Sequence, residues 1–255
     1  MTLALLHDFR SRWLTSPLPM VVEHRAGAPE TICAAPSLWM GGKLVAERLR
    51  EQGIGEGHRV CYDGPAGAPF VQALVGILRT GAAFVGEALE GAVPHAVVHH
   101  DLGVTVSAPH AANEAASTRM IFRSADGRDI VRMTGSDVDA LAKTAAELLQ
   151  QREADGALRI GCLGDWRDWR VAVIEVLGGL SLGSELHLGC HDVPGAQLEA
   201  LGSLPDVVIG RPLPHSPLAS PLTLSLVTGD ADRALAFDVV LAPAGTLHHV
   251  STWTA

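Results

Sequence analysis

The order of secondary-structure elements is decided within residues 44–85, which read LVAERLREQGIGEGHRVCYDGPAGAPFVQALVGILRTGAAFV. Apolar residues recur here at intervals of three and four, which predicts a helix that ends at Gly53. A short apolar strand at 59–62 follows, then a second amphipathic helix over 69–80 and another strand at 82–85. Alternation of strand and helix predicts a parallel sheet covered by helices.

The rest of the chain continues this pattern. A hairpin is predicted near the start, with strands at 20–23 and 30–33, and a helix follows Ser136. Ser136 is interpreted as the N-cap of that helix rather than as a nucleophile, since no GxSxG sequence surrounds it. We therefore predict one α/β domain over 1–255, with layered sheets, flanking helices and approximate subregions at 1–120 and 121–255.

Three stretches together resemble the N-terminal part of the adenylate-forming superfamily, which includes acyl-CoA synthetases, nonribosomal-peptide adenylation domains and luciferases. The helix and turn over 44–60 are similar to the family's segment that ends in glycine-aspartate-x-valine. Residues 69–82 resemble the family's next helix, and 173–184 resemble its later helix that ends in glycine and alanine. The resemblance implies the fold of the family's N-terminal domain over about residues 20–230.

The resemblance also locates a degenerate phosphate loop. The family grips ATP phosphates there with a Ser/Thr/Gly-rich turn and a lysine. The matching residues in this chain are Ser124, Asp126, Gly127, Arg128 and Arg132, with Asp129 beside them and no lysine nearby. Carboxylates about 4 Å from a polyanion cost on the order of 1–4 kcal/mol each. The chain is therefore not expected to grip ATP in the family's way.

From the resemblance, we expect the sequence up to Ala255 to contain no counterpart of the family's C-terminal domain with its catalytic lysine. The only lysines, Lys43 and Lys143, fall in predicted helices. We accordingly assign no catalytic residue and expect no cofactor.

A second candidate site is the unusual sequence GDWRDWR at 164–170, which follows a predicted strand at 158–163. It offers aromatic rings and arginine–aspartate pairs that could hold an acyl or aryl carboxylate by cation–π contact and bidentate pairing. The alternative is that one tryptophan packs beneath the helix start while Asp165 caps it. The candidate pocket residues are Asp165, Trp166, Asp168, Trp169 and Arg170.

Histidine clusters raise the question of a metal site. They lie at 99–101, 190–192 and 248–249, and His95 precedes His99 by four residues. A zinc site needs three or four converging ligands, and no HExxH sequence is present. Exposed loop histidines are the simpler interpretation, so we expect no metal.

Composition limits the remaining functions. The formal net charge is −9 and hydrophobic residues make up 47% of the chain, which argues against a nucleic-acid binder and against global disorder. No run of about 20 apolar residues exists for a membrane span, and four scattered cysteines fit a cytoplasmic protein.

The leading hypothesis is a bacterial pseudoenzyme: a non-catalytic binding or partner subunit in acyl or carrier-protein metabolism. Its expected partners are a ligase or carrier-protein system, a second copy of the chain, or an acyl or aryl small molecule. The alternatives are half of a split acyl-adenylating ligase, or a histidine- or metal-dependent enzyme that reuses the old pocket.

Overall fold

The computed structural model describes most of the chain as far as Leu188 and three strands beyond it. The described ranges are 3–18, 20–25, 29–89, 92–107, 112–123, 130–150, 159–162, 165–188, 207–209, 222–227 and 234–241. Within them, helices flank two mixed sheets. The predicted α/β class with layered sheets is confirmed.

One sheet has six strands within the described residues, in the order β6-β5-β3-β4-β7-β8. Its four inner strands are parallel, and the outer strands β6 and β8 are antiparallel to their neighbours. The strands are β3 (Arg59–Asp63), β4 (Ala83–Val85), β5 (Ala96–His99), β6 (Val104–Val106), β7 (Thr118–Arg123) and β8 (Ile130–Thr134).

The other sheet has seven described strands in the order β12-β13-β11-β9-β10-β1-β2. Strands β1, β10, β9 and β11 run parallel, although β1 comes from the start of the chain. The strands are β1 (Met20–Glu23), β2 (Thr31–Ala34), β9 (Arg159–Cys162), β10 (Glu185–Leu188), β11 (Val207–Ile209), β12 (Leu222–Val227) and β13 (Ala234–Leu241).

The helices cover these sheets, and none within the described residues is long and apolar enough to cross a bilayer. Helices α2 and α3 meet at Gly42 and Gly76: a Cβ on Gly76 would lie 2.6 Å from the Cβ of Val45. The absence of side chains at this crossing lets the two backbones approach closely. The helices are α1 (Ala4–Trp13), α2 (Ala35–Glu51), α3 (Ala68–Thr80), α4 (Gly135–Gln150) and α5 (Gly178–Leu182), with a π-helix at Arg170–Leu177.

The start of α4 differs from the sequence-based prediction. Ser136 lies inside the helix, and Thr134 is the capping residue. The Asp137 carboxylate accepts hydrogen bonds from the Thr134 backbone N–H and hydroxyl, both at 2.8 Å, and the Asp137 N–H donates back to the Thr134 hydroxyl at 3.3 Å. This reciprocal arrangement is a capping box in which aspartate replaces the usual glutamate.

Candidate functional site

The end of β7 and the segment that follows β9 lie close together, at the carboxyl ends of parallel strands. Gly86 follows β4, and a Cβ on it would lie 2.6 Å from the Phe122 ring and 2.9 Å from the Arg167 carbonyl oxygen. Phe122 belongs to β7, which leads directly into residues 124–129, and Arg167 belongs to the segment after β9. Ligand sites of open α/β sheets occur at such strand ends.

Four of the five residues assigned to the degenerate phosphate loop, Ser124, Asp126, Gly127 and Arg128, lie outside the described residues. Arg132 is described: it lies on β8 opposite Ile121.

The arginines that flank this loop both have carboxylate partners. The Arg132 Nε donates to Glu114 Oε1 at 3.1 Å, and the Arg123 Nε donates to Glu87 Oε1 at 2.6 Å. Glu114 is largely buried, with a side chain 10% exposed. Each cation is thus already paired with an anion of the protein itself.

Trp166 is part of the core. It is 2% exposed, and its ring stacks on Phe70 with centroids 5.0 Å apart. It also contacts Tyr62 at 5.4 Å and Phe84 at 6.0 Å, both from the six-stranded sheet. The Arg167 guanidinium lies 4.5 Å from the ring centroid on its outer side. Trp166 therefore connects the segment after β9 to the other sheet, while its predicted role in a ligand pocket stays a prediction.

The remaining pocket residues form local ion pairs. Asp165 is exposed and accepts a hydrogen bond from the Arg167 N–H at 3.0 Å. Asp168, and not Asp165, accepts the backbone N–H of Arg170 at the helix start, at 2.9 Å. The buried Arg170 side chain also donates to both Asp168 oxygens, and Trp169 is half-buried against the core. The Arg170 guanidinium is thus held by a carboxylate of its own chain.

Glu175 lies behind this ion pair and is completely buried in the π-helix. Burial raises the pKa of Glu175 well above its ordinary value, and the charge of Asp168 adds to the rise. The neighbouring Cys162 thiol and the charge of Arg170 oppose the rise. Glu175 is accordingly a buried carboxylic acid that resists ionisation.

The histidines of these clusters that the structure describes do not converge. His99 is partly exposed, 3.7 Å from Asp63, and His95 is buried, with its Nδ1 accepting the Arg59 N–H at 2.9 Å. His191, Asp192, His248 and His249 lie outside the described residues. Among the residues that are described, no three His, Cys, Asp or Glu side chains are arranged to hold a metal.

Comparison with known proteins gives matches in structure only. No family model matches the sequence, and no curated protein matches it either. Solved structures do match, with TM-scores of 0.55–0.61 in the three cases described next.

ATP-bound MatB from Rhodopseudomonas palustris has a TM-score of 0.61 and 13% identity, over 82% of this chain and 49% of that chain. A fatty acyl-adenylate ligase from Legionella pneumophila has a TM-score of 0.56 and 15% identity, over 77% and 42%. The McyG A-PCP structure, complexed with phenylalanyl-adenylate, has a TM-score of 0.55 and 12% identity, over 79% and 44%. The chain has an adenylate-forming-like fold.

The adenylate-forming-like fold confirms the structural part of the resemblance. The identities are too low to carry more than the fold. This chain spans about half the length of the solved structures that it matches.

Sequence analysis missed one buried polar cluster in this adenylate-forming-like fold. His24, at the end of β1, and His187, in β10, stack with ring centroids 5.1 Å apart and a 2.8 Å contact between His24 Nε2 and His187 Nδ1. The Nε2 of His187 donates to Glu185 Oε1 at 2.9 Å, and His24 Nδ1 lies 3.6 Å from Glu30 Oε1. The only local signal was the alternation of Glu185 and His187, which places both on one face of a strand.

Glu23, next to His24, faces a different neighbour. Its carboxylate is 5% exposed, pairs with Arg25 and lies against Gly67, where a Cβ would be 2.5 Å from Glu23 Oε2. Gly67 immediately precedes α3, so the carboxylate lies near the positive end of that helix. Burial, and then the charge of Glu23, raises the pKa of Tyr62. The end of β1 is thus a polar junction between the two sheets.

Proposed function

We propose that this protein shares the fold of adenylate-forming enzymes but does not form adenylates. In this proposal it acts as a binding or partner subunit in acyl or carrier-protein metabolism. The observation that carries the proposal is the pairing of the arginines around the phosphate-loop position. Arg123 and Arg132 flank that loop, and each is bonded to a carboxylate of the same chain.

The pairing matters because a triphosphate needs unpaired positive charge. A nucleotide would have to displace Glu114 from Arg132, which leaves a largely buried carboxylate without its partner. The sequence adds Asp126 and Asp129 to the same loop. The lysines offer no substitute, since each pairs with a glutamate one helical turn away, Lys43 with Glu47 and Lys143 with Glu147.

The acyl side of the site supports the same proposal. A ligand in the predicted pocket would have to displace the Trp166 ring from its stack on Phe70, or separate Arg170 from Asp168. Both changes disturb the core, because Trp166 and Arg170 are almost completely buried. The surface around the strand ends is then more suited to contact with another macromolecule than to chemistry on a small one.

Calorimetric titration of the purified chain with Mg-ATP, and then with AMP, tests the proposal. We expect no heat and no change in Tm at millimolar nucleotide. The informative variant is E87Q/E114Q, which releases Arg123 and Arg132 from their carboxylates and should allow weak ATP binding. E147Q is the matched control, since its glutamate is exposed on α4 and, among the described residues, pairs with Lys143.

Micromolar ATP binding by the unmodified chain, or formation of an acyl-adenylate, would overturn the proposal. Either result would instead favour the alternative that this chain is the N-terminal half of a split ligase. The structural match over 82% of this chain supports that alternative. A metal ion purified in stoichiometric amount would favour the histidine-dependent enzyme. The partner role is tested directly by mixing the purified chain with a purified acyl-activating ligase or carrier protein and measuring whether a complex of defined stoichiometry forms.

A further inference from the structure

The histidine pair between β1 and β10 has a defined arrangement of protons. An ionised Glu185 only accepts hydrogen bonds, so the Nε2 of His187 must carry a proton to donate to it. A neutral His187 then accepts at Nδ1, and His24 donates to it from Nε2. This leaves the Nδ1 of a neutral His24 as a bare lone pair.

That lone pair faces another acceptor. His24 Nδ1 lies 3.6 Å from Glu30 Oε1 and has no hydrogen-bond donor among the described residues. Its side chain is 2% exposed, whereas that of Glu30 is 32% exposed. A proton on Nδ1 would relieve the clash of acceptors, but it would also place a positive charge in a site that water does not reach.

We propose that His24 is a proton-operated latch: uptake of a proton on its Nδ1 releases the β1–β2 hairpin from β10. The neutral ring holds the hairpin through its stack and hydrogen bond with His187. The protonated ring is better solvated when the end of the hairpin opens. Among the described strands, the hairpin lies at the edge of the seven-stranded sheet and pairs there with β10 alone. It can therefore open without breaking any other described strand pair of that sheet.

The surrounding charges set the direction of the switch. Glu30 faces His24 from the approach to β2, His187 and Glu185 face it from β10, and Glu23 and Arg25 flank it along its own strand. Burial lowers the pKa of His24 from its ordinary value of 6.5, and Glu30 raises it back only in part. The open hairpin therefore takes up the proton first as the pH falls, so acid favours opening.

Hydrogen exchange of the full-length protein between pH 4.5 and 8, corrected for intrinsic exchange rates, tests the latch. Protection of the amides of β1 and β2 should be constant above about pH 6.5 and fall by up to about tenfold per pH unit below it, until the pH reaches the folded-state pKa of His24. Protection of α3 should not follow the same curve, because α3 contributes no group to the histidine pair.

Two variants and one control make the result specific. H24Q should abolish the decline in protection. E30Q removes the charge that favours protonated His24, so the folded-state pKa of His24 should fall further. The decline in hairpin protection should then continue to a lower pH and be larger in total. H99Q is the control: it removes a partly exposed histidine from the other sheet and should leave the decline unchanged.

The proposal is overturned if hairpin protection is independent of pH in the wild-type protein, or if the decline in E30Q coincides with that of the wild type. It is also overturned if H24Q folds and still shows the decline. Should H24Q fail to fold, E30Q decides the question by itself, because the Glu30 side chain is a third exposed and glutamine keeps its shape.

Discussion

At the scale of single residues, Glu175 should make the stability of the protein depend on pH. Burial raises its pKa above the ordinary value of 4.5, so the folded chain keeps a proton that the unfolded chain releases. The free energy of unfolding should therefore fall as the pH rises from about 4.5 towards the folded-state pKa, by at most about 1.4 kcal/mol per pH unit. Urea unfolding at pH 4.5 and pH 8 measures this loss as the difference between the wild type and a variant that cannot ionise at position 175.

The substitution E175Q isolates the effect, because glutamine keeps the shape of the protonated acid without its ability to ionise. We expect E175Q to be more stable than the wild type at pH 8, and the difference to shrink at pH 4.5. E147Q is the control and should stay within about 0.5 kcal/mol at both values, as expected for an exposed pair. Equal pH dependence in E175Q and the wild type would show that Glu175 is ionised in the folded state.

At the scale of elements, the crossing of α2 and α3 depends on the absence of a side chain at Gly76. An added Cβ would lie 2.6 Å from Val45 Cβ and 2.8 Å from the Gly42 carbonyl oxygen, which is backbone and cannot rotate away. We expect G76A to lower the free energy of unfolding by about 1–2 kcal/mol, since overpacking of about 1–3 kcal/mol outweighs a gain of up to about 1 kcal/mol in helix propensity. Urea unfolding monitored by circular dichroism measures the change.

Gly55 provides the comparison for this helix crossing. Its added Cβ would meet only the Thr80 carbonyl oxygen, at an ordinary 3.7 Å. G55A should therefore change the free energy of unfolding by less than about 0.5 kcal/mol. Equal effects of G55A and G76A would mean that α2 and α3 can move apart to accommodate the added methyl group without loss of stability.

Elements were predictable from the sequence because their signals are local. The apolar spacing in 44–80 predicts α2 and α3, and the hairpin at 20–33 appears within one residue of its predicted bounds. The cap of α4 was placed two residues too late, since both Thr134 and Ser136 can cap a helix and only the bonds of Asp137 distinguish them. The π-helix had no signal in the sequence, because its mostly apolar residues, apart from Arg170 and Glu175, have the same composition as a buried α-helix.

The candidate site was less predictable because its contacts join distant parts of the chain. The pairs of Arg123 with Glu87 and of Arg132 with Glu114 cannot be derived from any local pattern. His24 and His187 are separated by 163 positions and meet only because β1 inserts beside β10. Periodicity gives the faces of a strand, but it does not give the neighbour of that strand.

At the scale of the whole molecule, Trp166 is a buried side chain that connects the two sheets. It follows β9 of the seven-stranded sheet and packs on Tyr62, Phe70 and Phe84, which come from β3, α3 and β4. Truncation of a fully buried tryptophan costs about 3–5 kcal/mol. We expect W166A to lose about that much stability, and W166F to lose less because phenylalanine keeps the stack on Phe70.

The same change should separate the unfolding of the two sheets. In the wild type, hydrogen exchange of β3 and of β10 should report the same global opening, because the core around Trp166 is continuous. In W166A the two strands should exchange through openings of different free energy. W169A is the matched control, since Trp169 is only half-buried and lies three residues away; it should keep the openings equal. A single shared opening in W166A would show that other core contacts are sufficient to couple the sheets.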